Sequence, residues 1–249
     1  MNFESELIED FFLLTSRSAF SPTDIPGLAL WLDASDAATI TLDGSNTVSQ
    51  WNDKSGNGRN FTQGTAMQRP SRTLAGQNSL NVVTFDGTDD NLLSPVGVLS
   101  LADVSCFVVA STNFGGGTGR SLIGCPQANG AHTDPYFRWS IFASNTGQFD
   151  SRWNGLLGVT AGAVLSNTAK IIGLDTVAGK YYVDGTEVYS RTPATITYPN
   201  SVPCIIGKNG GGGEYWRGFV AEVLIYNKGL SAGERSQAET YLRSKWGTP

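Results

Sequence analysis

The sequence predicts an all-β fold: a two-sheet antiparallel jelly-roll sandwich with a short N-terminal helical arm and a C-terminal helix. Two observations support this prediction. The chain has 30 glycines and 10 prolines among 249 residues, which favours many short elements joined by tight turns. In addition, about ten short apolar or β-branched segments recur at regular spacing with turn residues between them, as in sandwiches and jelly rolls.

The predicted strands begin with LALWLD at 28–33 and end with WRGFVAEVLIYN at 216–227. VSCFVVAS at 104–111 is strongly apolar, and KYYVDGTEVYS at 180–190 predicts a hairpin that turns at Asp184-Gly185. The other predicted strand segments are 46–61, 80–93, 121–125, 136–143, 169–176 and 202–208.

The predicted C-terminal helix has clear start and stop signals. Ser231 and Glu234 form an S-x-x-E capping box, and Gly247 is expected to end the helix. Between these two signals, Ala238, Tyr241, Leu242 and Lys245 follow one another at helical spacing.

Residues 1–14 predict an amphipathic helix that carries four acidic residues and no basic one. Residues 15–24 are rich in Ser, Thr and Pro and resemble a linker. We expect residues 1–24 to form a docking arm with its linker, and residues 25–249 to form the sandwich with its terminal helix. The alternative is a helix that folds back on its own sandwich. The expected docking residues are Phe3, Leu7, Ile8, Phe11, Phe12 and Leu14.

The three cysteines, Cys106, Cys125 and Cys204, are odd in number, form no CxxC pair and lie in apolar segments. They are predicted to be buried free thiols rather than disulfide partners.

Three segments in order along the chain carry a family resemblance. IPGLALWLDASD with SQWNDKSGNGRNF, then VVTFDGTDDNL, then GFVAEVLIYNKGLSAGERSQAETYLRSKWG resemble laminin-G-like domains of the concanavalin A-like lectin/glucanase kind. Such domains occur in bacterial surface proteins and phage structural proteins, and the resemblance covers about residues 25–247. It implies the jelly-roll fold, but the fold serves glycan binding, protein binding and purely structural roles alike.

The resemblance also implies a possible cofactor, because laminin-G-like domains often bind calcium at the sandwich rim. Asp86, Asp89 and Asp90 lie within one turn and offer carboxylates suited to such a hard cation. The alternative is that these residues only serve the turn itself. No other cofactor is expected.

Catalysis is not expected. Relatives that hydrolyse β-glucans need two carboxylates about 5 Å apart on the active strand. Glu222 has no second carboxylate on its strand, so it is predicted to be structural, at a strand edge and hydrogen-bonded to the terminal helix or an opening loop. His132, the only histidine, lies in a loop with no nucleophile signature, which argues against a catalytic triad and against zinc.

Sandwich lectins bind sugars through aromatic side chains beside polar ones. The candidate platforms are Tyr136, Trp153, Tyr215 and Trp216, with core packing as the alternative; Trp31, Trp139 and Trp246 are expected in the core.

The favoured function is a non-enzymatic phage virion surface protein, a jelly-roll head attached to capsid, collar or tail proteins through residues 1–14, with weak glycan binding. The alternative is an adhesin or receptor-binding module for host glycans. A net charge of −5 without a basic field argues against nucleic acid. With no signal peptide and no membrane span expected, we predict synthesis in the host cytoplasm, display on the virion and a homo-oligomer, with a trimer as the first guess.

Overall fold

A computed structural model describes residues 19–99, 101–112, 120–126, 137–143, 148–153, 156–164, 167–193, 203–209 and 213–249. Between 137 and 164 it describes the side chains of Ser140, Ile141 and Ala143 only. The predicted docking arm 1–14, Tyr136 and His132 therefore lie outside the described residues.

The described chain folds into two antiparallel sheets and one α-helix. The strands are β1 (Leu28–Asp33), β2 (Ile40–Leu42), β3 (Val48–Trp51), β4 (Phe61–Thr62), β5 (Ser71–Gln77), β6 (Leu80–Asp86), β7 (Leu92–Leu93), β8 (Ser105–Thr112), β9 (Arg120–Pro126), β10 (Phe137–Ala143), β11 (Gln148–Trp153), β12 (Leu156–Val164), β13 (Lys170–Asp175), β14 (Lys180–Val183), β15 (Thr186–Ser190), β16 (Ile205–Ile206) and β17 (Arg217–Tyr226). The helix is α1 (Ala232–Trp246), and three short 3-10 helices cover Pro22–Asp24, Ala37–Thr39 and Ala66–Gln68.

The first sheet has the strand order β15-β14-β13-β8-β17-β6-β5. Its long strand β17 pairs with β8 on one side, and with β6 and then β1 on the other. The second sheet has the order β12-β11-β10-β9-β16-β7-β4-β3-β2. The predicted two-sheet antiparallel sandwich is confirmed.

Apolar side chains fill two layers. The core between the sheets includes fully buried Trp51, Phe61 and Trp216. A second cluster, which includes Phe107 and Trp246, lies between the outer face of the first sheet and α1. All eight residues of β8 are buried, because one face of this central strand meets the core and the other meets the layer under the helix. This explains why the segment is apolar throughout rather than alternating.

The terminal helix begins and ends as the sequence predicts. The Ser231 hydroxyl accepts a hydrogen bond from the Glu234 backbone N–H, and the Glu234 side chain accepts one from the Ser231 N–H, which completes the capping box. Gly247 adopts the left-handed conformation at φ 62°, and its N–H donates to the Arg243 carbonyl. No helix in the described part of the chain is both long and apolar enough to cross a membrane.

The cysteine prediction is wrong for two of the three residues. Cys125 and Cys204 form a disulfide, whereas Cys106 is a buried free thiol as expected. The reason is non-local: β9 and β16 are neighbours, with Gly124 opposite Ile205. The next residues outward, Cys125 and Cys204, therefore stand face to face, although 79 positions separate them in the sequence.

Candidate functional site

A buried carboxylate network holds α1 on the first sheet. Glu222 has no exposed surface and accepts hydrogen bonds from Trp31 Nε1 at 2.7 Å, Tyr241 Oη at 2.8 Å and Trp246 Nε1 at 2.6 Å. Lys245 Nζ lies 2.8 Å from Glu222 Oε2. The predicted hydrogen bonding of Glu222 to the terminal helix is confirmed, and the further donor, Trp31, lies on strand β1 rather than in an opening loop. Its predicted place at a strand edge is wrong, because β17 has paired strands on both sides.

A second carboxylate faces Glu222 from the neighbouring strand. Asp33 on β1 stands opposite Glu222 in register, and Lys245 Nζ lies 2.7 Å from Asp33 Oδ1. Burial raises the pKa of Glu222, the charge of Asp33 raises it further, and Lys245 opposes both. Burial also acts to raise the pKa of Asp33, but Lys245 and the other hydrogen-bond donors around it bring the pKa below its usual value.

This carboxylate pair lies beneath α1, with Asp33 only 3% exposed and Glu222 fully buried. A sugar cannot reach either carboxylate, so the pair holds the helix in place and does not form a glycosidase site of this geometry. The loop 52–60 is also structural: the Asp53 carboxylate accepts hydrogen bonds from the backbone N–H groups of Trp31, Ser55 and Arg59.

A different cluster is accessible at one end of the sandwich, which we call the rim. The rim comprises the turn 86–91 between β6 and β7, Arg120 at the start of β9, and residues 207–209 and 213–217 between β16 and β17. The Gly207 backbone packs against the Phe85 ring and the Asp90 carbonyl, so these connections are in direct contact.

The three predicted calcium ligands converge in the rim. One carboxylate oxygen from each of Asp86, Asp89 and Asp90 lies within 4.8 Å of the others. Asp86 Oδ1 accepts the Thr88 N–H at 2.7 Å, and Asp90 Oδ2 accepts the Asp86 N–H at 2.8 Å. This oxygen donor set fits a hard cation. Calcium binding remains a prediction.

The Asp90 carboxyl has a raised pKa. Burial is the largest cause that raises its pKa to about 6; the charges of Asp86 and Asp89 add to this, and the hydrogen bond from the Asp86 backbone opposes it. Asp90 is 6% exposed, whereas Asp86 is exposed and Asp89 half-buried. The turn therefore presents Asp86 and Asp89 to solvent and keeps Asp90 beneath them.

Tyr215 is the predicted glycan platform that the structure places in the rim. Its backbone forms isolated β-bridges with Ser121 and Lys208, and Arg120 Nη1 donates to the Tyr215 carbonyl at 3.2 Å. The residue is half-buried. Its backbone is therefore held from two sides, and the Arg120 guanidinium that bonds it also lies beside Gly87 of the acidic turn.

Among the other predicted platforms, Tyr136 lies outside the described residues and only Trp216 has a described side chain. Trp216 has no exposed surface and lies in the core between the sheets, which corrects its selection as a sugar platform. Of Trp153 the structure describes only the backbone, opposite Trp139 in the pairing of β10 and β11. Trp246 is fully buried as expected, whereas Trp31, which was predicted in the core, is half-buried with Lys54 Nζ 4.4 Å from its ring centre. The side chain of Trp139 lies outside the described residues.

Sequence reasoning missed two rim residues, Arg120 and Arg217. Each is the first residue of a strand that follows a glycine-rich segment, FGGGTGR or NGGGGEYWR. A basic residue at the junction of a glycine-rich loop and a strand was the available signal. What the sequence could not supply is the pairing that brings the two strand starts to the same end of the sandwich.

The fold is a two-sheet β-sandwich, and a comparison with known families agrees. Residues 86–234 match the laminin G family model described as the concanavalin A-like lectin/glucanases superfamily. The chain belongs to this superfamily. None of the curated proteins compared with the chain matches it.

Solved structures share the fold at low sequence identity. Trypanosoma rangeli sialidase, solved in complex with sialic acid, superposes with a TM-score of 0.62 at 16% identity over 90% of this chain. The match covers 34% of the sialidase, so the chain spans about a third of that protein's length. Domain 4 of AbnA, a GH43 extracellular arabinanase from Geobacillus stearothermophilus solved in complex with arabinotriose, gives a TM-score of 0.58 at 15% identity, over 84% of this chain and 96% of that domain.

Proposed function

We propose that the chain is a non-catalytic carbohydrate-binding domain whose glycan site is the rim around Tyr215. The observation that carries this proposal is a half-buried aromatic residue whose backbone is held by two β-bridges, and whose carbonyl is bonded by Arg120, a guanidinium that also lies beside Gly87 of the acidic turn. Sugars present hydroxyl groups that pair with such polar groups and C–H faces that pack on aromatic rings. Membership of the lectin/glucanases superfamily supports the same function.

Binding without hydrolysis is the second part of the proposal. Asp33 and Glu222 are buried beneath α1, so they cannot serve as an acid and a nucleophile for a bound sugar. In the accessible cluster, Asp90 carries the raised pKa of a general acid, but it is buried and accepts the Asp86 N–H. Neither set presents a proton donor and a second carboxylate to the same ligand.

A glycan array followed by calorimetry tests this proposal. The variant Tyr215→Ala should weaken binding at least about tenfold because it removes the ring, while Tyr215→Phe should stay near wild type because it keeps the stacking face. Absence of binding to any glycan, or equal affinity in Tyr215→Ala, would contradict the proposed site. Release of reducing ends from a bound glycan would contradict the non-catalytic assignment.

We also retain attachment to a virion as a second candidate function. Its support is the acidic amphipathic pattern of residues 1–14, which fits a segment that docks on a partner protein. The expected display is a homo-oligomer on a phage surface. Deletion of residues 1–20 should then abolish incorporation into particles while the sandwich still folds and binds glycan; normal incorporation of the deleted form would refute attachment through this segment.

A further inference from the structure

Two arginine side chains converge on Gly87 in the rim. Gly87 has φ +81°, and a Cβ built there would stand 2.7 Å from Arg217 Cβ and 3.1 Å from Arg120 Nη1. A side chain at this position would thus collide with one arginine and crowd the other. Glycine satisfies the left-handed turn and also leaves room for both arginines beside the turn.

The acidic residues of the turn do not form an ion pair with Arg217. Arg217 is the first residue of β17 and stands opposite Asp86 in register, yet no ion pair joins it to a carboxylate among the described residues. Asp86 and Asp90 instead bind backbone N–H groups of their own turn. Arg217 is exposed, so its guanidinium remains accessible to an outside ligand.

Arg120 adds a second positive charge behind Arg217. It is half-buried, and its Nη1 is bonded to the Tyr215 carbonyl. Burial, and next the nearby charge of Arg217, lower the pKa of Arg120, which shows that the two cations repel each other. An anion bound between Arg217 and Tyr215 would offset this repulsion, and the guanidinium fork matches the two oxygens of a carboxylate.

We propose that Arg217, supported by Arg120, binds the carboxylate of a sugar acid in a glycan whose ring packs on Tyr215. This inference rests on the proposed glycan function and narrows it to acidic glycans. Neutral glycans lack a carboxylate that can pair with the Arg217 guanidinium, so the site distinguishes acidic from neutral glycans by charge as well as by shape.

Calorimetry with a carboxylated oligosaccharide and its carboxyl-reduced counterpart tests the inference. Wild type should bind the acidic form at least about tenfold more tightly, and Arg217→Gln should bring the ratio of the two affinities to about one. Lys180→Gln is the matched control, because Lys180 is also a cation on the first sheet but pairs with Glu187 at the opposite end of the strands. Thermal unfolding confirms that each variant is folded.

The outcomes separate the two proposals. If wild type binds both forms equally and only Tyr215→Ala loses affinity, the glycan site stands and the sugar-acid assignment is overturned. If neither form nor any other glycan binds, the proposed function itself fails. A sulfated oligosaccharide that binds as tightly as the carboxylated one would overturn the carboxylate assignment in favour of a general anion site.

Discussion

Replacing Lys245 with Met should strongly destabilise the fold, because the lysine pairs with two buried carboxylates and is the cation beside Glu222 among the described residues. Its Nζ lies 2.7 Å from Asp33 and 2.8 Å from Glu222, whose side chains are 4% and 0% exposed. Methionine retains much of the apolar stem but leaves the buried Glu222 without a cation, whereas Asp33 keeps Lys54 Nζ at 2.9 Å. Breaking a buried pair of this kind costs about 3–5 kcal/mol. For a domain of this size that corresponds to a fall in Tm of about 6–20 °C.

Urea unfolding at pH 7 measures the loss, and Lys228→Met is the matched control. Lys228 also pairs with a glutamate, Glu234, at 2.6 Å, but the two side chains are 36% and 24% exposed. An exposed pair is worth less than about 1 kcal/mol. If the two variants lose equal free energy of unfolding, or if Lys245→Met loses less than about 1 kcal/mol, the buried ion pairs do not hold α1 on the sheet.

The Lys245→Met variant should also gain a distinctive pH dependence. Lys245 opposes the raised pKa of Glu222, so its removal should raise that pKa further. A group whose folded pKa exceeds its unfolded value stabilises the fold when protonated and loses that contribution as pH rises. The variant should therefore recover part of its lost stability between pH 7 and pH 5. A constant deficit across this range would contradict the assignment.

Three further predictions concern the disulfide and the acidic turn. The Cys125–Cys204 disulfide joins residues 79 positions apart, so its reduction, or the double variant Cys125→Ala/Cys204→Ala, should lower the free energy of unfolding by about 4 kcal/mol. Three titratable thiols in the unreduced, unfolded protein would show that the disulfide is absent. Burial raises the pKa of Asp90 to about 6, so the stability that its protonated form contributes is lost as pH rises from about 4 to 6. Asp90→Asn should remove this dependence of the unfolding free energy on pH and should raise that free energy by at most about 3 kcal/mol at pH 7. The same pH dependence in guanidinium unfolding of the variant would contradict the prediction. If the turn binds calcium, the ion should raise the Tm of wild type and leave that of Asp90→Asn unchanged, and calcium stabilising both forms equally would place it elsewhere.

The sequence predicted the fold well wherever the signal is local. An apolar run predicted β1, and two β-rich arms around Asp184-Gly185 predicted the hairpin of β14 and β15. Asp184 and Gly185 both adopt positive φ, as such a tight turn requires. The capping box and Gly247 gave the helix and its end. These features depend on residues within about four positions of one another, so tertiary structure had little to add.

Features that depend on strand order were not predictable. The disulfide required knowing that β16 lies beside β9, and the Asp33–Lys245–Glu222 network required β1 beside β17 with the helix across both. In the rim, the acidic turn and Tyr215 were found from sequence, but Arg217 was not. Its importance comes from the strand pairing that places it next to Gly87.

Nuclear magnetic resonance titration of the labelled protein with a carboxylated oligosaccharide tests the rim as the glycan site most directly. If the rim binds the glycan, the largest chemical-shift changes should fall on residues 86–90, Tyr215 and Arg217, and these changes should disappear in Tyr215→Ala. Shift changes confined to the opposite end of the sandwich, such as residues 177–180, would contradict this prediction.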